Sequence, residues 1–236
     1  LNKVNLQIKI KKETLKQNKK TFKITMKLKV ILTGVLAAIV IALAFVLYFS
    51  ITKPVKYDNE YNRRSNEVIA KLKDIRTLQE QFRMTNGRYC NSIDSLLDFA
   101  ENGQAKIVKK FGTVPDSLTE AEAIKAGIVK REIVTVNPLE KLYSEGKLLT
   151  PKDKIKDLKY IPYSNHEVFT MSAGSINKGG IDVSVFEAKA PVETYTYGMD
   201  KQMTINKKSD LKAKENGYAG WKVGDLEQAI TNGNWE

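Results

Sequence analysis

The sequence is poor in the residues from which most catalytic and metal sites are built. Its 236 residues include one cysteine, Cys90, and one histidine, His166. A single cysteine excludes an intrachain disulfide, and a single histidine leaves little material for a histidine-based metal or acid–base site. Two interpretations of Cys90 stay open: a small buried apolar residue, or a reactive or intermolecular thiol.

Acidic residues are almost absent from the first 56 positions, and this absence accounts for most of the net charge of +12. Residues 1–56 contain 12 lysines and one acid, Glu13, which gives +11. Residues 57–236 contain 27 basic and 26 acidic residues, which gives +1. A nearly neutral domain has no charge excess that would attract phosphate backbones, so we expect no nucleic-acid partner.

Charge is also missing from a 22-residue apolar run, residues 30–51, which begins with Val30 and ends with Ile51. As a helix this run would be about 33 Å long, enough to cross a hydrocarbon core of about 30 Å. A cleaved signal peptide has a shorter apolar core, and a buried core helix is rarely apolar on every face. We therefore expect an uncleaved signal anchor, with the lipid bilayer as the partner of residues 30–51.

The charges that flank the run predict its orientation. Six lysines lie within the fifteen residues before it, and four basic residues lie within the fifteen after it. Positive charge favours the cytoplasmic side of a membrane. The sequence thus predicts a cytoplasmic N-terminus and a C-terminal domain outside the cytoplasm.

Residues 1–25 precede a compact basic segment, Met26-Lys27-Leu28-Lys29, that would make a good start for a signal anchor. We expect Met26 to be the biological start and residues 1–25 to be an upstream extension. The alternative is a basic cytoplasmic tail that meets anionic lipid. The expected organisation is an extension (1–25), a signal anchor (26–56) and an extracytoplasmic domain (57–236).

The domain begins with a predicted amphipathic helix over residues 62–82. Its apolar residues recur at spacings of three and four, which places them on one face: Val68, Ile69, Leu72, Ile75, Leu78 and Phe82. Pro54 is expected to separate this helix from the apolar run. Ser92 can cap a short second helix whose inner face carries Leu96 and Leu97.

Strand patterns dominate the remainder of the chain. We predict strands at 105–111, 129–136, 160–163, 168–173, 181–187 and 203–205, and short helices at 119–126 and 223–230. Val129, Ile133 and Val136 are expected to point inward, and residues 174–180 to form a hairpin turn. The order of elements predicts an α+β fold in which the amphipathic helix packs on one face of an antiparallel sheet.

Part of this region resembles type IV pilins and type II secretion pseudopilins at the end of their long first helix. The resemblance covers about 45 residues and rests on Asp74-Ile75-Arg76-Thr77-Leu78-Gln79-Glu80-Gln81-Phe82, Asn86-Gly87-Arg88-Tyr89 and Ser92-Ile93-Asp94-Ser95-Leu96-Leu97. It implies a pilin-like packing of helix and sheet. The pilin processing signal is missing, because Val35 follows Gly34 and the fifth residue after that glycine is Ile39 rather than glutamate.

A longer resemblance covers about 210 residues from Met26 onward. The chain is similar to an uncharacterised family of single-pass envelope proteins of Bacteroidota, through Asn165-His166-Glu167-Val168-Phe169-Thr170-Met171, Val185-Phe186-Glu187-Ala188-Lys189-Ala190-Pro191, Trp221-Lys222-Val223-Gly224-Asp225 and Gly233-Asn234-Trp235-Glu236. This resemblance implies the inner membrane of a Gram-negative envelope and a periplasmic domain. It implies no activity.

Catalytic motifs are not recognisable in the sequence, and we expect neither an enzyme nor a bound cofactor or metal. Ser164 and His166 lack a nucleophile elbow, and the glycines of residues 174–180 lack P-loop spacing. Aromatic residues of the last third can instead form a partner surface or pack against the sheet: Tyr195, Tyr197, Tyr218, Trp221 and Trp235.

The prediction from sequence is a non-enzymatic, membrane-anchored envelope protein whose periplasmic domain scaffolds or binds other envelope proteins. The alternative is a pseudopilin-like component of a secretion or pilus-type assembly. A periplasmic hydrolase is a third hypothesis, which a deep pocket with convergent polar groups would favour.

Overall fold

A computed structural model describes residues 2–112, 119–214 and 217–236. The chain divides into two compact units, Leu1–Lys56 and Tyr57–Glu236, and the second unit is called the domain below. The helices are α1 (Asn2–Asn86), α2 (Ile93–Asn102), α3 (Glu120–Lys125), α4 (Pro138–Ser144), a 3-10 helix (Lys152–Lys159), α5 (Val192–Tyr195) and α6 (Lys201–Lys214). The strands are β1 (Ala105–Phe111), β2 (Lys130–Val136), β3 (Thr170–Lys178), β4 (Ile181–Pro191) and β5 (Gly220–Gly224).

Helix α1 continues through Pro54, so the prediction that this proline separates two helices was wrong. Proline removes one backbone hydrogen bond and crowds the preceding turn, at a cost of about 3 kcal/mol in a helix interior. The apolar run before Pro54 and the amphipathic stretch after it both favour the helical state, and helix formation is cooperative along the chain.

Residues 30–51 lie in the part of α1 that is long and apolar enough to cross a membrane, judged by length and composition. The candidate span lies within the stretch Lys27–Asn86 of α1, and the most apolar 18 residues of this stretch are wholly exposed within the chain. A core helix of a soluble protein would bury such a stretch. The observation is compatible with a transmembrane or signal-anchor helix.

Within the domain, the predicted apolar face of α1 forms part of the core. Val68, Leu72, Ile75 and Leu78 each have 0% of their surface exposed, which confirms the periodicity argument. The same core contains residues of α2, of the 3-10 helix and of strands β4 and β5, among them Leu96, Leu158, Phe186, Ala188 and Val223. The domain is therefore α+β, as predicted.

The strands form two antiparallel sheets rather than one. Strands β3, β4 and β5 make a three-stranded sheet in that order, and β1 pairs with β2 in a separate ribbon. The β3–β4 hairpin is confirmed, but its turn is shorter than predicted. β3 runs to Lys178, and only Gly179 and Gly180, with φ of 61° and 86°, turn the chain. Left-handed backbone of this kind is accessible to glycine without a steric penalty.

Three of the short elements were predicted incorrectly. Of residues 160–163, only Tyr160 makes a β-bridge, with Val168, because Tyr163 adopts a left-handed φ of 61°. Residues 203–205 belong to α6, whose buried Thr204 and Leu211 are seven residues apart, a helical spacing. Residues 223–230 form no helix, because β5 pairs with β4 as far as Gly224.

The ribbon confirms the predicted strands at 105–111 and 129–136 to within one residue. It contradicts the prediction that Ile133 points inward, because 71% of that side chain is exposed. An inward position needs a second layer to cover it, and the two-stranded ribbon has none over Ile133 in the described chain.

Candidate interaction surface

The five aromatic residues predicted as a partner surface do not form one surface. Tyr195, in α5, is completely buried. Its hydroxyl lies 3.3 Å from that of Tyr61 in α1, and the two rings are 5.9 Å apart. Burial raises the pKa of the Tyr195 hydroxyl well above its ordinary value. Tyr195 is thus a core residue that joins α5 to α1.

Tyr197 lies two residues further on and is 62% exposed. Its backbone is fixed, because the guanidinium of Arg64 donates hydrogen bonds to the carbonyl oxygens of Tyr195 and Tyr197, at 3.1 and 2.9 Å. A large aromatic side chain on a fixed backbone can contact a partner without much loss of conformational entropy.

The other three aromatic residues surround strand β5. Tyr218 precedes the strand, Trp221 lies in it, and Trp235 belongs to a C-terminal segment that is joined to β5 by the bridge between Val223 and Gly233. Trp221 and Trp235 are partly buried against the main core. The Tyr218 hydroxyl and both indole N–H groups have no hydrogen-bond partner among the described residues. These residues are therefore close in the fold, and mainly serve to pack it.

A polar cleft of about 780 Å³ lies beside the same strand. Glu187 of β4 pairs with Lys189 and, at 3.4 Å, with Lys222 of β5; Lys222 also pairs with Asp225 at 2.9 Å. Hydrogen bonding to Lys222 lowers the pKa of Asp225. Burial opposes the charged form of Lys222, but Asp225 and Glu187 raise its pKa overall. The opposite charges neutralise each other, so the cleft suits structural ion pairing more than proton transfer.

A second groove, of about 440 Å³, contains a half-buried lysine that the sequence placed outside the apolar stripe. The ammonium group of Lys71 donates to the carbonyl oxygens of Asp157 and Tyr160, at 2.5 and 2.8 Å. Burial lowers the pKa of Lys71, an effect that the carboxylates of Asp157 and Glu67 oppose. Its helical position, four residues before Ile75, was the signal that could have predicted its burial.

Two further polar side chains of α1 are buried and hold loops. The Asp74 carboxylate, 1% exposed, accepts hydrogen bonds from the backbone N–H groups of Leu149 and Thr150, at 2.8 and 2.7 Å. The Gln79 amide donates to the carbonyl of Cys90 at 2.7 Å and accepts from its N–H at 2.9 Å. Hydrogen bonds to loop backbone therefore explain the burial of both Asp74 and Gln79. Cys90 itself is buried and forms no disulfide.

Ser164 and His166 show no catalytic arrangement. The Ser164 hydroxyl donates to the carbonyl of Ile161 at 2.7 Å and accepts from the N–H of Glu167 at 3.0 Å, so it stabilises its own loop. Within residues 2–112, 119–214 and 217–236, no group of three or more His, Cys, Asp and Glu side chains converges as metal ligands do.

Several exposed apolar side chains of the domain lie on the β1–β2 ribbon and its connection. Ile133 is 71% exposed, Phe111 49%, Ile128 43% and Ile124 37%. The main core includes no described side chain from residues 105–136. The ribbon was not recognised as an exposed surface from sequence, because the pattern of residues 129–136 resembles that of a half-buried strand.

Comparison with known proteins gives no relative for this chain: no family model, no curated protein and no solved structure matches it.

Proposed function

We propose that the protein is a non-enzymatic, single-pass envelope protein whose domain binds other envelope proteins. The observation that carries the proposal is the composition of α1. One helix contains an uncharged, exposed run long enough for a bilayer and, further along, the apolar face of a folded domain. A protein built in this way keeps a water-exposed domain at a membrane surface.

The proposed location is the inner membrane, with the N-terminus in the cytoplasm and the domain in the periplasm. Support comes from the excess of lysine before residues 30–51 and from the resemblance to envelope proteins. A reporter that is active only outside the cytoplasm, fused after Glu236, should be active. A cytoplasmic reporter at the same position should be inactive, and the reverse pattern would overturn the orientation.

The binding role is proposed from surfaces rather than from a reaction site. The domain exposes Tyr197 on a fixed backbone and apolar side chains on the β1–β2 ribbon, while its buried ionic groups are paired or bonded to backbone. Exposed aromatic and apolar groups on a folded framework are typical of interfaces.

Site-specific photocrosslinking in the membrane-anchored full chain tests this role. A photoreactive residue at Tyr197 or Ile133 should give discrete crosslinked products with envelope proteins, and one at Asp153, an exposed position on the 3-10 helix, should not. Equal, diffuse crosslinking at all three positions would contradict a specific binding role. A substrate turned over by the purified chain, with loss of turnover on mutation of a cleft residue, would contradict the non-enzymatic role.

A pseudopilin-like subunit is the second candidate function. It is favoured by the shared core of α1 and the β3–β4–β5 sheet, including the contact of the Gln79 amide with the Met171 sulfur at 3.0 Å. Long helical assemblies in the membrane fraction, visible by electron microscopy and lost on deletion of residues 30–51, would support it. Monodisperse particles at every concentration would count against it.

A further inference from the structure

The β1–β2 ribbon is an incomplete sheet. Each strand pairs with the other over seven residues, from Ala105 opposite Val136 to Phe111 opposite Lys130, and with no third strand in the described chain. An isolated two-stranded ribbon is only marginally stable in water, and its outer edges present unpaired backbone N–H and C=O groups. The fold therefore leaves a site at which an extended segment can add as a further strand.

The charge of the ribbon differs from that of the domain as a whole. Its two strands contain five basic residues and one acid, a net charge of +4, whereas residues 57–236 carry +1. All the charged residues of β1 are basic: Lys106, Lys109 and Lys110. Lys106, next to one end of the ribbon, and Lys130, at the other end, are both exposed. A segment that pairs with β1 is favoured if it is acidic.

We propose that the β1 edge of the ribbon binds an acidic, extended segment of a partner protein by strand addition. Backbone hydrogen bonds would supply the geometry, and charge would select the partner. Phe111, exposed at one end of β1, would be partly covered by the apolar side chains of the added strand. A second copy of the ribbon is a poor partner, because two surfaces of +4 repel each other.

This inference rests on the proposed binding function and names the chemistry of the partner. The probe is an octapeptide of alternating Glu and Val with blocked termini, titrated against the full chain in zwitterionic detergent micelles. We expect saturable binding that weakens as salt is added. The same peptide with N-methyl groups on alternate backbone amides keeps its charge but loses hydrogen-bond donors, and it should not bind.

Two double variants separate local charge from total charge. Lys106→Glu with Lys130→Glu should weaken peptide binding roughly ten-fold or more, since two attractions become repulsions. Lys178→Glu with Lys201→Glu changes the net charge equally on exposed lysines of other elements, and should change affinity less than about two-fold. If the first variant unfolds, as monitored by circular dichroism, Lys106→Gln with Lys130→Gln provides the milder comparison and should still weaken binding.

Four results of the binding titrations would overturn the inference: no binding, equal loss of binding in both double variants, unchanged binding of the N-methylated peptide, or equally tight binding of octathymidylate. The last would indicate a general polyanion surface. Concentration-dependent dimerisation that the Lys106/Lys130 variant abolishes would assign the edge to a second copy, and would also overturn it. These failures differ from failure of the anchoring proposal, in which the chain would leave the membrane at alkaline pH whether or not it binds the peptide.

Discussion

Two parts of helix α1 have the same secondary structure and different distributions of apolar residues. Residues 30–51 are uncharged all round, and Ile39 is 50% exposed within the chain. Residues 57–86 form an amphipathic helix with one apolar and one polar face, and Ile75 on the apolar face is completely buried. The comparison shows that the distribution of apolar residues around a helix distinguishes a segment that is compatible with a membrane span from one that packs in the core of a folded domain.

The strongest way to break this comparison is to make the same substitution in both parts. Ile75→Ala should destabilise the domain by about 2–5 kcal/mol, because it leaves a cavity in the main core. Ile39→Ala should leave the stability of the domain unchanged, since lipid fills the space of the lost side chain. Urea unfolding in micelles, followed by near-ultraviolet circular dichroism, measures both. Equal destabilisation by the two variants would mean that residues 30–51 also pack in a protein core.

Charge gives the next largest contrast. Val40→Arg places a charge near the centre of the apolar run and should disfavour membrane insertion by about 2.5–3.5 kcal/mol. Asn66→Arg, on an exposed position of the amphipathic part, should have no effect on insertion. A glycosylation-site reporter, placed on either side of the run, measures the inserted fraction. Insertion that is insensitive to Val40→Arg would show that this segment does not partition into lipid.

Asp74 sharpens the comparison between the two parts of α1. The amphipathic part buries this carboxylate, and the loop at Leu149 and Thr150 supplies the hydrogen-bond donors that it needs. Asp74→Asn retains one acceptor oxygen and turns an N–H₂ group toward a backbone N–H. We expect a loss of about 1–3 kcal/mol in unfolding free energy and faster amide exchange at Leu149 and Thr150. Asp153→Asn, at an exposed position, is the control. Unchanged exchange at both amides would remove Asp74 as the group that holds this loop.

The smallest predicted effect concerns pH and involves Glu60, in the part of α1 that belongs to the domain. Hydrogen bonds from Arg63 and then Arg64 lower the pKa of Glu60 from 4.5 to about 2. Because the pKa in the folded state is the lower one, the stabilising contribution is complete above about pH 4.5 and is lost as the pH falls toward 2. Glu60→Gln should reduce the slope of stability against pH in this window. An identical slope in wild type and variant would contradict the assignment.

Sequence predicted the parts of the fold that local periodicity controls. The face of Val68, Leu72, Ile75 and Leu78 repeats at helical spacing, and short apolar clusters between turn residues indicate β1 and β2, so the existence and type of these elements were predictable. The segment at 203–205 failed because three residues cannot distinguish a strand from a helix. The helix predicted at 223–230 failed because pairing with β4, a contact distant in sequence, decides its backbone.

The candidate surface was less predictable than the fold. Tyr195 and Tyr197 are two residues apart and similar in chemistry, yet one is completely buried and the other is mostly exposed. Their difference arises from Tyr61 and Arg64, which lie more than 130 positions away in the sequence. Ile133 is likewise exposed because no second layer covers the ribbon at this position in the described chain, and a local sequence pattern cannot reveal whether such a layer is present.

Alkaline carbonate extraction of membranes that contain the full chain tests the central claim most directly. Carbonate releases proteins held by charge or by protein contacts, and leaves those whose apolar segment spans the bilayer. We predict that the chain stays in the membrane pellet at pH 11 and enters solution only with detergent. Release of the intact chain into the carbonate supernatant would contradict the account.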